Sequence, residues 1–62
     1  MNSLVGKTVV CLEMVNDPFP VPSGTIGTIE YVDDANNIHV KWDNGSSLSL
    51  IPGVDKYFIL ND

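Results

Sequence analysis

The sequence predicts an all-β fold, a small barrel of five short strands. Three observations carry this expectation. No stretch of about eleven residues or more has the apolar spacing of a helix. Gly, Pro, Asn and Asp instead interrupt short runs rich in β-branched residues. In Ile38-His39-Val40-Lys41-Trp42, apolar and polar residues alternate, which is the period of a strand with one buried face.

At 62 residues, the expectation is a single domain over residues 1–62 with one core. A chain this short buries only about 60% of its unfolded surface, so its stability is marginal. One cysteine and one histidine allow neither an internal disulfide nor a structural zinc site. Stability then has to come from a well-patterned core or from self-association, and a homo-oligomer is left open. Cys11 lies in Val9-Val10-Cys11-Leu12, where a thiol reads as a small buried hydrophobe. Its nearest basic neighbour in sequence is Lys7, so a reactive thiol has little support.

The first strand is expected at about Lys7 to Leu12. A long loop, Glu13 to Ser23, follows and holds Pro18, Pro20 and Pro22. Prolines at alternate positions exclude a ladder strand and favour a stiff, extended path. The second strand runs from Gly24 to about Val32. Ile26 and Ile29 are three apart and would face opposite sides of a regular strand, so a bulge at Gly27 is expected to return both to the core. Asp33-Asp34-Ala35-Asn36-Asn37 is a polar turn. Its oxygens fall short of a calcium loop, which needs a longer array and a bidentate glutamate.

Ile38, Val40 and Trp42 form the apolar row of the third strand, and Leu48 and Leu50 that of the fourth. A two-residue Asn44-Gly45 turn would set Val40 opposite Ser49 and put the two rows on opposite faces. A three-residue loop Asp43-Asn44-Gly45, with Gly45 left-handed, instead pairs Val40 with Leu48 and Ile38 with Leu50. Pro52-Gly53-Val54-Asp55 fits one short helical turn, and Tyr57 to Leu60 forms the last strand. This order of elements resembles the SH3-like barrel.

Two segments resemble a known family. One is Met14-Val15-Asn16-Asp17-Pro18-Phe19-Pro20-Val21-Pro22-Ser23-Gly24-Thr25-Ile26-Gly27-Thr28-Ile29. The other is Val40-Lys41-Trp42-Asp43-Asn44-Gly45-Ser46-Ser47-Leu48-Ser49-Leu50-Ile51-Pro52-Gly53-Val54-Asp55. Together they look like a small domain family of unknown function from bacteriophages, prophages and Gram-positive bacteria, with an Asp-Pro-x-Pro-Val-Pro-x-Gly-Thr motif. The resemblance implies an SH3-like barrel and a phage or mobile-element setting. It brings no catalytic or binding residues.

Charge narrows the functions. Eight acidic residues against three lysines and no arginine give a net charge of −5. Binding a phosphate backbone needs a basic surface, so direct nucleic-acid binding is not expected. An acidic face suits a basic partner. The N-terminus lacks a basic region followed by an apolar core, so no signal peptide is expected. No apolar stretch reaches the length of a membrane span, and a cytoplasmic protein follows (host cytoplasm if phage-encoded).

No catalytic site is expected. His39 is the only histidine, its strand position points it outward beside Lys41, and no nucleophile arrangement surrounds it in sequence. No cofactor motif or metal set is present. The proline loop is the candidate site, since Asp17, Phe19, Pro20 and Pro22 place a carboxylate, an aromatic ring and prolines on a long connection. In SH3-like folds, ligands lie between the long first loop, the third-strand hairpin and the last turn. By that resemblance the groove comprises Asp17, Phe19, Trp42, Asp43, Asn44, Pro52 and Tyr57. Trp42 is in phase with the core row, and its indole N–H requires a partner near the edge.

Three functions are compatible with these features. The first is a protein-interaction module for a basic or proline-rich segment. The second is a phage counter-defence protein that sequesters a nucleotide signal or blocks a host defence protein by acidic mimicry. The third is an accessory subunit of a larger assembly. A protein partner fits best, a nucleotide ligand is left open, and no membrane association is expected.

Overall fold

The computed structural model describes residues 4–15 and 17–60; Asn16, inside the expected proline loop, lies outside them. Five strands are present: β1 (Thr8–Glu13), β2 (Ile26–Val32), β3 (Ile38–Trp42), β4 (Ser49–Leu50) and β5 (Lys56–Ile59). They form one antiparallel sheet in the order β4-β3-β2-β1-β5. No pairing joins β4 to β5, so the sheet is open where the expected barrel would close. With only two residues in β4, little ladder is left to make that last seam. None of the described residues form a helix, so none of them makes a helix long and apolar enough to cross a membrane.

The expected helical turn before the last strand is absent. Ile51 O accepts from Val54 N–H at 3.0 Å and from Asp55 N–H at 2.9 Å, closing a turn. Gly53 within it has φ +86°, outside the right-handed helical region, and this ends any helix before it begins.

The alternating positions of β1, β2 and β3 converge on a core of Val9, Cys11, Ile29, Ile38, Val40, Trp42 and Leu50, joined by Met14 and Val21 from the proline loop. Leu4, Val32, Leu48, Tyr57 and Ile59 pack around it.

The hairpin of Asp43-Asn44-Gly45 forms as the alternation requires. Gly45 N–H donates to Trp42 O at 3.0 Å, Trp42 N–H donates to Ser46 O at 3.2 Å, and Gly45 has φ +90°. Ile38 pairs with Leu50 as expected. The expected Val40–Leu48 pair is not formed as a ladder pair, because β4 begins at Ser49. The Trp42 indole donates to Leu48 O at 2.9 Å instead, so a side chain takes up a carbonyl that the ladder leaves unpaired.

The expected bulge at Gly27 is displaced. Gly27 pairs regularly with Val9 and with Trp42, and the irregularity in β2 falls between Ile29 and Tyr31. Ile29 is therefore buried while Ile26, on the opposite face, is 45% exposed. Gly27 answers a steric need. A Cβ there would lie 2.5 Å from Val40 Cγ1, 2.8 Å from Trp42 Cε3 and 2.9 Å from Lys41 O. Only a residue without a side chain lets the indole lie on the β2 backbone.

Candidate functional site

The proline loop is fixed at both ends and shaped by local bonds. Cys11 N–H donates to Thr25 O at 2.8 Å, and Gly24 N–H donates to Cys11 O at 2.6 Å, clamping the loop's C-terminal end onto β1. The Cys11 thiol donates to Val21 O at 3.4 Å. Burial, and secondarily the charge of Asp55, push this thiol's pKa above the ordinary range, which favours the thiol over the nucleophilic thiolate.

Asp55 anchors the other end of the loop. Its Oδ1 accepts from Val15 N–H at 2.9 Å and its Oδ2 from Ile51 N–H at 2.9 Å. At 6% exposure it is the buried polar side chain of the described core, and it ties the root of the proline loop to the turn before β5. Residues of this kind escape sequence reading, because Asp after Pro-Gly-Val reads as an ordinary turn residue. The only hint is its place between apolar Val54 and the strand starting at Lys56.

Between these anchors, Phe19 N–H donates to Asp17 Oδ1 at 2.9 Å, an Asx turn that sets the path of the backbone. Pro18, Pro20 and Pro22 are all exposed. Phe19 itself is 85% exposed, although Met14 and Val21 on either side of it enter the core. The loop thus buries its ends and holds its aromatic ring in water.

Asp43 and Asn44 are exposed in the β3–β4 hairpin. Asp43 N–H donates to Ile26 O at 2.8 Å, which brings the hairpin to the start of β2, just after the loop's exit. Asn44 Oδ1 accepts from Ser46 N–H at 3.0 Å. Pro52 is exposed in the turn that Asp55 joins to the loop. Tyr57 is half-buried and packs on the core. Trp42 is 2% exposed and so is a core residue, removed from any surface groove. Asp55 therefore ties the loop's root to the last turn and a backbone bond ties the hairpin to the start of β2, whereas Trp42 lies in the core.

His39 lies on the outward face expected of it, but partly covered by its neighbours rather than free in water. Nε2 lies 2.9 Å from Asp33 Oδ2 and Nδ1 lies 3.2 Å from Ser49 Oγ. Its ring stacks on Tyr31 with centroids 4.2 Å apart and planes 7° from parallel. Asp33 Oδ1 also accepts the N–H groups of Ala35 and Asn37, both at 2.9 Å, and Asn36 takes a positive φ of 68° in that turn. The bond from His39, then those from Asn37 and Ala35, hold the Asp33 carboxyl below the usual carboxylate range. Nε2 can donate to the Asp33 carboxylate, and Nδ1 shares a bond with the Ser49 hydroxyl whose direction depends on the ring's tautomer. Sequence reading missed it because Asp33 and Ser49 lie six and ten positions away and meet only through the β2–β3 and β3–β4 pairings.

Among the described residues, no group of three or more His, Cys, Asp or Glu side chains is disposed to hold a metal ion. Against known families, residues 4–60 match a domain of unknown function, DUF4314. No curated protein and no solved structure matches the chain. The chain belongs to the DUF4314 family.

Proposed function

We propose that this protein is a non-enzymatic binding module of phage or mobile-element type, built on an SH3-like barrel, that engages a protein partner through its proline loop. The strand order β4-β3-β2-β1-β5, with a long connection between β1 and β2, is compatible with such a barrel opened between β4 and β5. One observation carries the functional reading: Phe19 is 85% exposed on a loop whose ends are anchored and whose shape is set by Asp17. A large ring held in water by a pre-shaped backbone is what a partner can bury at little ordering cost.

The chemistry of the partner follows from the neighbours. Asp17 lies in the loop and Asp43 at the adjoining hairpin, and the chain carries a net charge of −5. A basic, extended or proline-rich segment offers both a cation for the carboxylates and flat apolar surface for the ring.

The test is selection of displayed extended peptides on the wild-type protein, with Phe19→Ala as the counter-target. Enrichment of lysine- or arginine-bearing sequences that bind wild type, fail on Phe19→Ala and weaken with salt is the expected result. Equal enrichment on both targets would overturn the assignment. So would tight retention of a phosphorylated nucleotide in native mass spectrometry with no peptide enriched; that pair of results points to sequestration of a nucleotide signal.

A further inference from the structure

The two edges of the sheet are unlike. β4, at one end of the order, has two residues, and Pro52 follows it in an exposed turn. Short strands and prolines are how natural sheets blunt an edge. β5, at the other end, carries no proline, and its one charge, Lys56, stands at its start. Tyr57-Phe58-Ile59-Leu60 follow, all apolar or aromatic. The irregularity in the pairing of β5 with β1 lies between Cys11 and Glu13, at the Lys56 end, so the rest of this edge is regular.

The bonds of β1 show which backbone groups of β5 are left over. Cys11 gives its N–H to Thr25 O and takes Gly24 N–H at its own carbonyl, both on the side of β2. Tyr57 lies opposite Cys11, so β1 meets neither of its backbone groups. Leu60 N–H donates to Thr8 O at 2.8 Å, and antiparallel pairs alternate between bonded and non-bonded. Phe58 therefore exchanges bonds with Val10 opposite it, whereas Ile59, like Tyr57, turns its N–H and C=O away from β1. Among the described residues no strand lies beyond β5 to meet them.

We propose that β5 takes up an extended, cationic segment of a different protein as an added strand. Its outward N–H and C=O groups recur every second residue, about 7 Å apart, a spacing that another extended backbone matches. The pairing fixes the segment's pattern. Directly opposed residues share a face, and the side chains of Tyr57 and Ile59 pack on the core. The segment's residues that bond to these two are therefore apolar and stand at alternate positions. The intervening ones lie beside Phe58, which is 57% exposed in the outer row it forms with Val10 and Ile26. The net charge of −5 favours lysine or arginine at those positions, with stems that cover the Phe58 ring. The same charge repels a second copy of this chain. The edge acts through the backbone of β5 and is separate from the loop that presents Phe19.

Amide hydrogen exchange of the nitrogen-labelled protein, read by NMR, tests this with a capped peptide of alternating valine and lysine as the probe. In the free protein, Tyr57 and Ile59 should exchange fast, and Phe58 and Leu60 slowly. Saturating peptide should slow Tyr57 and Ile59 by about tenfold or more. The same peptide N-methylated at its valines lacks the donors that face β5 and should slow neither. N-methylated at its lysines, it should act as the unmodified peptide does. Phe19→Ala should respond like wild type, which separates this edge from the partner-binding loop. No slowing at millimolar peptide, or equal slowing by the two methylated peptides, would overturn the proposal. So would slowing at Tyr57 and Ile59 that rises with protein concentration in the absence of peptide, a result that assigns the edge to a second copy.

Discussion

The crossing of the Trp42 indole over the β2 backbone and the proline loop hold their shape by opposite means. At the crossing, Gly27 sits against Val40, Trp42 and the Lys41 carbonyl with no room for one added carbon. The geometry there is dictated by close packing. In the loop, the backbone from Asp17 to Val21 is set by a carboxylate turn and by prolines, and its one aromatic ring buries almost nothing. Rigidity at the crossing supports the core. Rigidity in the loop leaves a ring in water, where it adds nothing to folding and so has to be explained by what it meets.

The largest effect should come from breaking the crossing. Gly27→Ala puts a methyl group into the indole face and the Lys41 backbone, and overpacking of this kind costs about 1–3 kcal/mol or more. A domain of this size has only a few kcal/mol in total, so urea titration should show Gly27→Ala largely unfolded in water. Asp55→Ala comes next. It strands the part-buried N–H groups of Val15 and Ile51, at up to about 1 kcal/mol for each, because water can reach them in part. Thermal unfolding should show a large drop, with Asp55→Asn in between because it keeps one acceptor oxygen.

A smaller effect is expected in acid. The folded state holds the Asp33 pKa below its unfolded value, so the stabilisation is complete above the ordinary carboxylate range. It is lost as pH falls through that range and the lowered folded value. Asp33→Asn should flatten the acid limb of a stability-against-pH curve while leaving the proline loop's bonds intact. An unchanged acid limb would mean that the Asp33–His39 contact does not contribute.

The same contrast explains what was legible in the sequence. The left-handed Gly45 and the Ile38–Leu50 pair followed from alternation alone, because two apolar rows can share a core in only one register. Gly27 was expected to mark a bulge and instead pairs regularly. A glycine inside a strand marks either a bulge or a close approach, and only the position of Trp42 over it decides for the second. The helical turn failed at Gly53, whose freedom to take positive φ is invisible until the turn is built. In the candidate site, the proline loop was legible from composition, whereas Asp55 and the Asp33–His39–Ser49 chain depend on contacts between distant positions. The exposure of Phe19 could not be read either, since its neighbour Val21, two residues on, is buried.

The least effect on folding, and the sharpest on function, belongs to Phe19→Ala. Its unfolding midpoint should match wild type to within about 0.5 kcal/mol, as for a surface change that touches no packed group. The direct measurement is an NMR titration of the nitrogen-labelled protein, wild type and Phe19→Ala in parallel, with a basic proline-containing peptide. The account predicts shifts in wild type confined to residues 17–25, the hairpin at Asp43 and Asn44 and the turn at Pro52, and none in Phe19→Ala at equal peptide. Shifts of equal size in both proteins, or shifts centred on Val10, Ile26 and Phe58, would contradict it.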